Sequence, residues 1–531
     1  MNIEPENLSS NGTSKTMRTV ESQPQTELPP ASSEQLRAYD SRRLTSLVPS
    51  EFVQRHRILP LESSKGSLLV ATARKLESRL IEDLSLITGC EIRSLIAEET
   101  SLNERIAEIY QITVEQLIED FDTSEDAAQS SANLHDIEVM ANEPTVVNLV
   151  NVIISTAIRE RASDIHLVPF EDKLDLRYRV DGLLQEMPPP PRNLQAAIIS
   201  RIKIMADMNI AERFLPQDGH FQIQHRGARV DLRVGTMPTV HGESVVLRLL
   251  EKNQKVPTPS ELGLDDARVA ELNRLVTKPH GLFLTTGPTG SGKTTTLYSI
   301  LSGVYTPTKK ILTIEDPVEY ELAGVAQIPV RPSRGFTFAT GLRAILRQDP
   351  DTVMVGEIRD SETAEIAIRA ALTGHQVFST LHTNDAPGAV TRLVDMGVEP
   401  FLISSSLEGV LAQRLVRRIC ENCRETDPEA QEHLLTLDIN DPAMTAKNYM
   451  HGAGCEKCRQ TGYRGRIGTF ELLAINARLR ELIVQRGTSS QIHEQAEKQM
   501  LSLRNDALLK AASGATSLQE VIRVASTVET S

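Results

Sequence analysis

A phosphate-loop motif constrains this chain more than any other feature of its sequence. The run Gly287-Pro288-Thr289-Gly290-Ser291-Gly292-Lys293-Thr294 fits the pattern G-x-x-x-x-G-K-[ST] and lies between an apolar run, 282–286, and a helical pattern that begins near Lys293. Glycines let backbone N–H groups turn inward around phosphate oxygens, and the helix N-terminus adds partial positive charge there. The motif therefore predicts an ATP site, with Lys293 on the β- and γ-phosphates, Thr294 on Mg²⁺, and Thr295 beside them.

Acidic residues follow two other predicted strands. The strands and their acids are 311–314 with Glu315 and Glu319, and 352–355 with Glu357 and Asp360. Because parallel strands end at the same edge of a sheet, these carboxylates are candidates for holding Mg²⁺ and for orienting the attacking water. The second strand resembles a Walker B strand in which Gly356 takes the usual Asp position, so Glu357 would lie beside the metal. We interpret Glu319 and Glu357 as functional, whereas Glu315 and Asp360 are equally well explained as nucleotide-site acids or as ion-pairing or capping residues.

A further predicted strand, 377–381, is flanked by His375 and His382. A lone histidine is usually structural, but two at the ends of one central strand favour a functional role for the pair. We expect at least one of the two imidazoles to contact or sense the γ-phosphate, without separate roles for each.

Four of the five cysteines form two Cys-x-x-Cys pairs, namely Cys420 with Cys423 and Cys455 with Cys458. Each pair places two thiolates on a tight turn, which is the geometry that tetrahedral Zn²⁺ accepts, and four sulfurs leave no position for water. The pairs predict a structural zinc site that clips a long loop excursion to its domain. Redox use is the alternative, although no thioredoxin-like pattern surrounds either pair. The basic residues expected to offset the anionic ligands are Arg414, Arg417, Arg418, Arg464 and Arg466.

The length of the chain requires several domains, because 531 residues exceed the roughly 250–300 at which one hydrophobic core stops growing. Past residue 253, short apolar runs alternate with helical patterns and predict a doubly wound α/β domain with a parallel central sheet, and two smaller α/β domains precede it. The predicted divisions are a disordered tail 1–39, a first N-terminal domain 40–115, a flexible linker 116–141, a second N-terminal domain 142–252, and a C-terminal domain 253–531 that includes a cysteine-bearing insertion 415–467 and a helical region 469–531.

Charge and hydropathy limit the partners that we expect. Lys and Arg number 57 against 71 Asp and Glu, and the net charge of −14 disfavours nucleic-acid binding. The polar N-terminus lacks the basic start and apolar core of a secretory signal peptide, and no apolar stretch approaches the roughly 20 residues of a membrane-spanning helix. These patterns favour a cytoplasmic protein whose membrane contact is peripheral.

Several of these motifs together resemble the secretion ATPase superfamily. The segment 287–294, the acidic run 314–319, Gln348-Asp349-Pro350-Asp351 leading into 355–360, and the strand between His375 and His382 match its Walker A, Asp, Walker B and His boxes in order. The run Gly397-Val398-Glu399-Pro400-Phe401-Leu402 and the run Leu411-Ala412-Gln413-Arg414-Leu415 are most similar to type II secretion ATPases, with type IV pilus extension ATPases next. The four cysteines argue against the pilus-retraction branch.

The resemblance implies a RecA-like ATPase that forms a ring, expected to be hexameric, with a PAS-like second N-terminal domain. It implies that Glu319 is the catalytic glutamate, that Glu357 is the Walker B acid, and that Arg233 and Arg248 reach the nucleotide. Either arginine could instead pair with surface acids.

The resemblance also implies that the first N-terminal domain docks onto an inner-membrane platform protein. Some such domains bind cyclic di-GMP through a motif that begins Arg-Leu-Gly, but here the stretch reads Arg43-Leu44-Thr45-Ser46-Leu47. The missing glycine argues against that form of regulation. The expected function is to power type II secretion by extending a pseudopilus, with pilus extension as the near alternative and DNA translocation as the distant one.

Overall fold

The computed structural model describes residues 35–36, 38–39, 41–44, 47–48, 52–53, 56–64, 66–76, 78–110, 134–225, 228–251 and 255–529. They belong to two compact units, Met1–Leu117 and Ile118–Ser531. The predicted tail 1–39 lies outside the described residues except at four of its last positions.

The first unit is a small α/β domain. Its elements are β1 (Ile58–Ser64), β2 (Ser67–Thr72), α1 (Ser78–Thr88), β3 (Glu91–Ile96) and α2 (Glu99–Tyr110). Strand β2 pairs antiparallel with β1 and parallel with β3. Leu59, Val70 and Leu84 are fully buried in the core. The apolar run 68–72 predicts a buried strand and the pattern 101–110 predicts an amphipathic helix, and β2 and α2 confirm both.

The second unit begins with helices packed on an antiparallel sheet. Its elements are α3 (Leu134–Ala141), α4 (Pro144–Arg159), β4 (Ala162–Pro169), β5 (Leu174–Val180), β6 (Leu183–Met187), α5 (Gln195–Met205), β7 (Gln217–His225), β8 (Ala228–Thr239) and β9 (Gly242–Glu251). The strand order is β6-β5-β4-β9-β8-β7. Helix α4 begins with Pro144, whose missing N–H costs nothing at a helix start. Helix α3 occupies 134–141 of the predicted linker and packs on α5 with Ile137 and Ala141 buried, so this part of the segment is ordered. Residues 116–133 lie outside the described part of the chain.

A seven-stranded sheet forms the centre of the C-terminal domain. Its elements are α6 (Pro259–Leu262), α7 (Asp266–Val276), β10 (Gly281–Thr286), α8 (Lys293–Val304), β11 (Ile311–Glu315), β12 (Val325–Pro329), α9 (Phe338–Ile345), β13 (Thr352–Val355), α10 (Ser361–Leu372), β14 (Gln376–Leu381), α11 (Ala386–Asp395), α12 (Pro400–Ser406) and β15 (Leu407–Ile419), and the final strand, Tyr463–Ala474, is antiparallel to β15. The strand order is β12-β11-β13-β14-β10-β15 and then this last strand. Strands β10, β11, β13 and β14 are buried along their whole length, which explains their uninterrupted apolar runs. The predicted strands 282–286, 311–314, 352–355 and 377–381 are all confirmed.

The cysteine-bearing excursion lies between β15 and the final strand. It contains β16 (Arg424–Thr426), α13 (Ala430–Thr436), α14 (Pro442–Thr445) and β17 (Met450–Gly452), and the final strand is therefore β18. Residues 415–419 and 463–467, predicted as part of the insertion, belong to the central sheet because β15 and β18 pair as far as Ile419 and Tyr463. The chain ends with α15 (Ala477–Val484), α16 (Ser489–Glu497), α17 (Leu503–Ala512) and α18 (Leu518–Glu529). Within the described residues, no helix combines the length and the apolar character needed to cross a bilayer.

Candidate active site and cysteine cluster

The phosphate loop connects β10, in the interior of the central sheet, to α8. Gly287 has φ +147°, and a Cβ there would lie 2.4 Å from the backbone oxygen of Gln413 on β15. Gly292 forms the N-cap of α8 with φ +88°, and a Cβ there would lie 2.9 Å from the Gln413 side-chain nitrogen. Both positions require glycine, because the loop is packed directly against the neighbouring strand.

Lys293 is held inside this loop. Its side chain is 8% exposed, and its Nζ donates to the backbone oxygens of Gly287 at 2.8 Å and Pro288 at 3.0 Å. Burial lowers the pKa of Lys293 to about 8, although the carboxylate of Glu357 acts in the opposite direction. Lys293 is thus a partly desolvated cation at a helix N-terminus, a setting that favours an anionic ligand.

Glu357 and His382 lie at the same edge of the sheet as the phosphate loop. Glu357 follows β13, and its Oε1 is 2.6 Å from a guanidinium nitrogen of Arg359. Its other oxygen lies 3.5 Å from His382 Nε2, at the end of β14. Burial and the charge of Lys293 lower the pKa of His382 despite the nearby carboxylate. The structure therefore gathers Lys293, Glu357 and His382 into one cluster beside the loop, as the sequence predicted.

Glu319 lies next to the loop helix through Tyr298, a residue that the sequence analysis missed. The Tyr298 hydroxyl accepts a hydrogen bond from the Glu319 backbone N–H at 3.3 Å. The Glu319 carboxylate lies 3.5 Å from a guanidinium nitrogen of Arg233, which also donates to the backbone oxygen of Val318 at 3.1 Å. Glu319 is thus fixed by α8 on one side and by the second N-terminal domain on the other.

Glu315 and Asp360 have contacts that fit the structural explanation. Glu315 is buried at the end of β11 and accepts hydrogen bonds from Tyr298, from Thr313 at 2.5 Å and from Gln327 at 3.1 Å. Asp360 is the N-cap of α10 and accepts from the Thr363 backbone N–H at 2.7 Å. The predicted nucleotide contact of Glu315 gains no support from these contacts, since both of its oxygens are engaged within the domain.

His375 lies at the wrong edge of the sheet for a phosphate contact. It precedes β14, where its backbone oxygen accepts from Gly281 at the start of β10, whereas the phosphate loop follows the end of β10. Its Nδ1 is 3.1 Å from the backbone oxygen of Ala370, at the end of α10. The expectation that His375 belongs to the catalytic set is therefore corrected, because six strand residues separate it from the loop edge.

Arg233 and Arg248 are direct neighbours on the sheet of the second N-terminal domain. They face each other across β8 and β9, and Arg248 faces Asp164 across β9 and β4. Only Arg233 contacts Glu319. Arg248 instead donates from Nε to the buried Asp164 carboxylate at 2.9 Å. The structure thus brings one of the two predicted arginines to the site and holds the other on an acid of its own domain.

The four paired cysteines converge as predicted. Their Sγ atoms all lie within 4.8 Å of one another, with separations of 3.9 Å for Cys420–Cys455 and 3.7 Å for Cys423–Cys458 and Cys455–Cys458. Zn–S bonds of about 2.3 Å in a tetrahedron require sulfur separations of about 3.8 Å, so the cluster fits Zn²⁺. The Gly462 N–H also donates to the Cys458 sulfur, with the nitrogen and sulfur 3.3 Å apart.

The cysteine-bearing excursion and the start of β18 both contact the second N-terminal domain. Gly465 N–H donates to the Asp181 carboxylate at 2.7 Å, and Arg459 pairs with Glu160 at 3.0 Å. Arg414, expected to offset the thiolate charge, instead reaches the loop after β14, where it donates to Asn384. Arg414 is close to Cys420 in sequence, but its side chain on β15 contacts a different loop.

Family models and curated relatives match most of this chain. The family model described as type II/IV secretion system protein matches residues 140–523, and an MshEN domain model matches 28–116. The type II secretion system protein E of Pseudomonas aeruginosa is 44% identical over 484 residues, which cover 90% of this chain and 96% of that protein. The type IV pilus assembly ATPase PilB of Myxococcus xanthus is 42% identical over 487 residues, which cover 90% of this chain and 86% of that protein.

Among solved structures, the fold resembles the ATPase DotB of Legionella pneumophila. The TM-score is 0.53 at 22% sequence identity, and the match covers 71% of this chain and 95% of that one. At this identity the likeness concerns the fold alone.

Proposed function

The chain belongs to the type II/IV secretion system protein family, and from this premise we propose that it is the ATPase that powers type II protein secretion. In this proposal, ATP hydrolysis moves the C-terminal domain against the second N-terminal domain, and a membrane platform converts the motion into pseudopilus extension. The observation that carries the proposal is the cluster of Lys293, Glu357 and His382 at the phosphate loop.

The chemistry assigned to each residue follows from its contacts. Bound Mg²⁺ would neutralise phosphate charge, with Thr294 and Glu357 as the residues that hold it. Lys293 exchanges its bonds to the loop carbonyls for bonds to the phosphates. Glu319 orients the attacking water, and Arg233 stabilises charge that develops on the transferring phosphoryl group. Because Arg233 belongs to the other domain, domain closure and hydrolysis are coupled.

A turnover assay of Glu357→Gln beside the parent tests this proposal. The substitution keeps the side-chain shape and removes the charge, so we expect steady-state hydrolysis to fall by roughly 100-fold or more while ATP still binds. Glu365→Gln is the matched control, because Glu365 is exposed on α10 and pairs only with Arg369 among the described residues. Parental turnover in Glu357→Gln would contradict the assignment.

Type IV pilus extension is the second candidate function. The pilus assembly ATPase of M. xanthus and the secretion protein of P. aeruginosa have nearly the same identity to this chain. Both functions use the same catalytic residues, so the partner of the first N-terminal domain distinguishes them. The experiment that decides between them identifies the inner-membrane protein that co-purifies with the full chain. This protein should no longer co-purify when residues 40–115 are deleted.

The remaining assignments complete the proposal. We propose that the chain assembles into a hexameric ring, that it works in the cytoplasm at the inner membrane through its platform partner, and that Zn²⁺ binds the four paired cysteines. The cysteine geometry supports the metal. Size-exclusion chromatography with light scattering and zinc analysis of the purified protein test the ring and the metal.

A further inference from the structure

Arg414 is a buried cation at the phosphate-loop edge to which the proposed function gives no task. It lies on β15, where Ala412 pairs with Thr286 at the end of β10. The next residue, Gln413, packs against the loop glycines and accepts from Thr296 of α8 at 2.6 Å. Successive strand residues point to opposite faces, so Arg414 leaves β15 on the face away from α8.

The Arg414 guanidinium is only partly satisfied. Its Nη2 donates to the backbone oxygen and to Oδ1 of Asn384, at 3.1 Å each. Its Nε and Nη1 are buried without a hydrogen-bond partner among the described residues, and the side chain is 6% exposed. Buried polar atoms are almost always paired, so two unused donors on a buried cation indicate a missing anionic charge nearby.

The acids around Arg414 are engaged elsewhere. The Asp385 carboxylate accepts from Gly388 N–H at 2.6 Å and pairs with His493 at 3.2 Å. Glu471 accepts from the backbone N–H groups of Ala386 and Leu503. Within the described part of the chain, neither acid forms an ion pair with Arg414; burial lowers the pKa of Arg414, and the charges of both acids act in the opposite direction. Arg414 in turn contributes to lowering the pKa of Lys293, which places both cations in one electrostatic neighbourhood.

We propose that Arg414 is a positioning residue for ATP turnover, whose uncompensated charge strengthens phosphate binding to the loop and whose bond to Asn384 fixes the segment after His382. The inference rests on the proposed function, because it requires a nucleotide on the loop. Phosphates add negative charge near Arg414, with which neither Asp385 nor Glu471 forms an ion pair among the described residues. Asn384 lies two residues beyond His382, and its hydrogen bonds to Arg414 hold this segment against β15.

Two substitutions in the full-length chain separate the two contributions. Arg414→Met removes the charge with little change in length, whereas Arg414→Lys keeps the charge and loses the planar guanidinium whose Nη2 contacts Asn384. Arg417→Met is the matched control on the same strand, because Arg417 is already paired with Glu520 at 2.9 Å and stacked on the Tyr463 ring. For each variant we would measure the Kd of ATPγS, kcat and KM for ATP, and the unfolding temperature without nucleotide.

For Arg414→Met we expect at least tenfold weaker ATPγS binding and an unfolding temperature that does not fall, because a costly buried charge is removed. For Arg414→Lys we expect a Kd within threefold of the parent and a kcat at least tenfold lower. Arg417→Met is expected to lower the unfolding temperature and leave the Kd unchanged.

A purely structural Arg414 would give the opposite pattern. Parental nucleotide affinity together with a lower unfolding temperature in Arg414→Met would overturn the proposal. If this variant does not fold, a parental kcat in Arg414→Lys overturns it and a lowered kcat with retained affinity supports it. Failure of the parent to bind ATPγS would instead refute the proposed function.

Discussion

Replacing Tyr298 by Phe is expected to weaken the protein and its catalysis together. Tyr298 is fully buried on the helix that follows the phosphate loop. Its hydroxyl donates to the buried Glu315 carboxylate and accepts from the Glu319 backbone N–H and from Gln327 Nε2, each of the latter at 3.3 Å. A single oxygen therefore ties the loop helix both to β11 and to the segment that carries Glu319.

The size of the stability loss follows from what remains after the substitution. A hydrogen bond to a charged group contributes about 1.5–3 kcal/mol. Glu315 keeps its bonds from Thr313 and Gln327, so its carboxylate is not stripped of donors, and we expect a loss of about 2 kcal/mol. For a domain of this size the unfolding temperature should fall by roughly 4–8 °C. Because Glu319 loses its tie to α8, kcat should fall by roughly tenfold while KM changes little.

Tyr320→Phe provides the matched control. The Tyr320 ring packs edge-on against Tyr298 with centroids 4.7 Å apart, but its hydroxyl has no hydrogen-bond partner among the residues that the structure describes. Thermal unfolding and steady-state ATP hydrolysis would be measured for both variants beside the parent. Tyr320→Phe should resemble the parent in both assays.

Two results would refute this reasoning. An unchanged unfolding temperature in Tyr298→Phe would mean that the hydroxyl network contributes nothing to stability. A lowered unfolding temperature with an unchanged kcat would mean that Tyr298 supports the fold without positioning Glu319.

Three further predictions concern the site and the cysteine cluster. Burial lowers the pKa of Lys293 to about 8, and bound phosphate favours the charged form of its side chain. The affinity for ATP, measured by titration calorimetry, should therefore be constant below about pH 8 and fall by up to roughly tenfold per pH unit above it. An affinity that does not change with pH up to about pH 9.5 would contradict this. His382→Ala should slow steady-state hydrolysis roughly tenfold or more, whereas His375→Ala should stay within about twofold of the parent, since only His382 reaches Glu357; equal losses would contradict the assignment of edges. The Cys455→Ser variant should contain less zinc than the parent by metal analysis. Its amide hydrogen exchange should be faster at Gly465, whose N–H donates to Asp181. Unchanged exchange would show that the metal does not support this contact.

Continuous apolar runs made the central sheet predictable from the sequence. Strand β13 has the predicted bounds, and β10, β11 and β14 each differ by one residue, because strands buried on both faces carry no polar alternation to blur their ends. The sequence pattern 228–234 predicts a strand, but β8 continues for five more residues, because its hairpin partner β9 extends the pairing to Thr239. Such an extension depends on a partner strand rather than on local propensity.

Local spacing made part of the site predictable, and tertiary pairing decided the rest. The phosphate loop and the cysteine pairs are short-range patterns with a fixed geometry. The two histidines flank the same strand, and only the parallel register shows that His382 lies at the loop edge and His375 at the other. Tyr298 reads as an ordinary core aromatic on a helix, and Arg414 reads as a neighbour of Cys420, because nothing in their local sequence reveals the buried partners that each contacts.

Arg233 and Arg248 are direct partners on the neighbouring strands β8 and β9. The sheet therefore carries two guanidinium groups separated by the distance between two strands. Neighbouring strands lie about 4.8 Å apart, so a slide of that length by the second N-terminal domain would carry Arg248 to the place that Arg233 now holds over Glu319. The hydrogen bond between Arg248 and the buried Asp164 carboxylate opposes that exchange, because it would have to break first. The position of this sheet over the C-terminal domain therefore decides which guanidinium the glutamate meets.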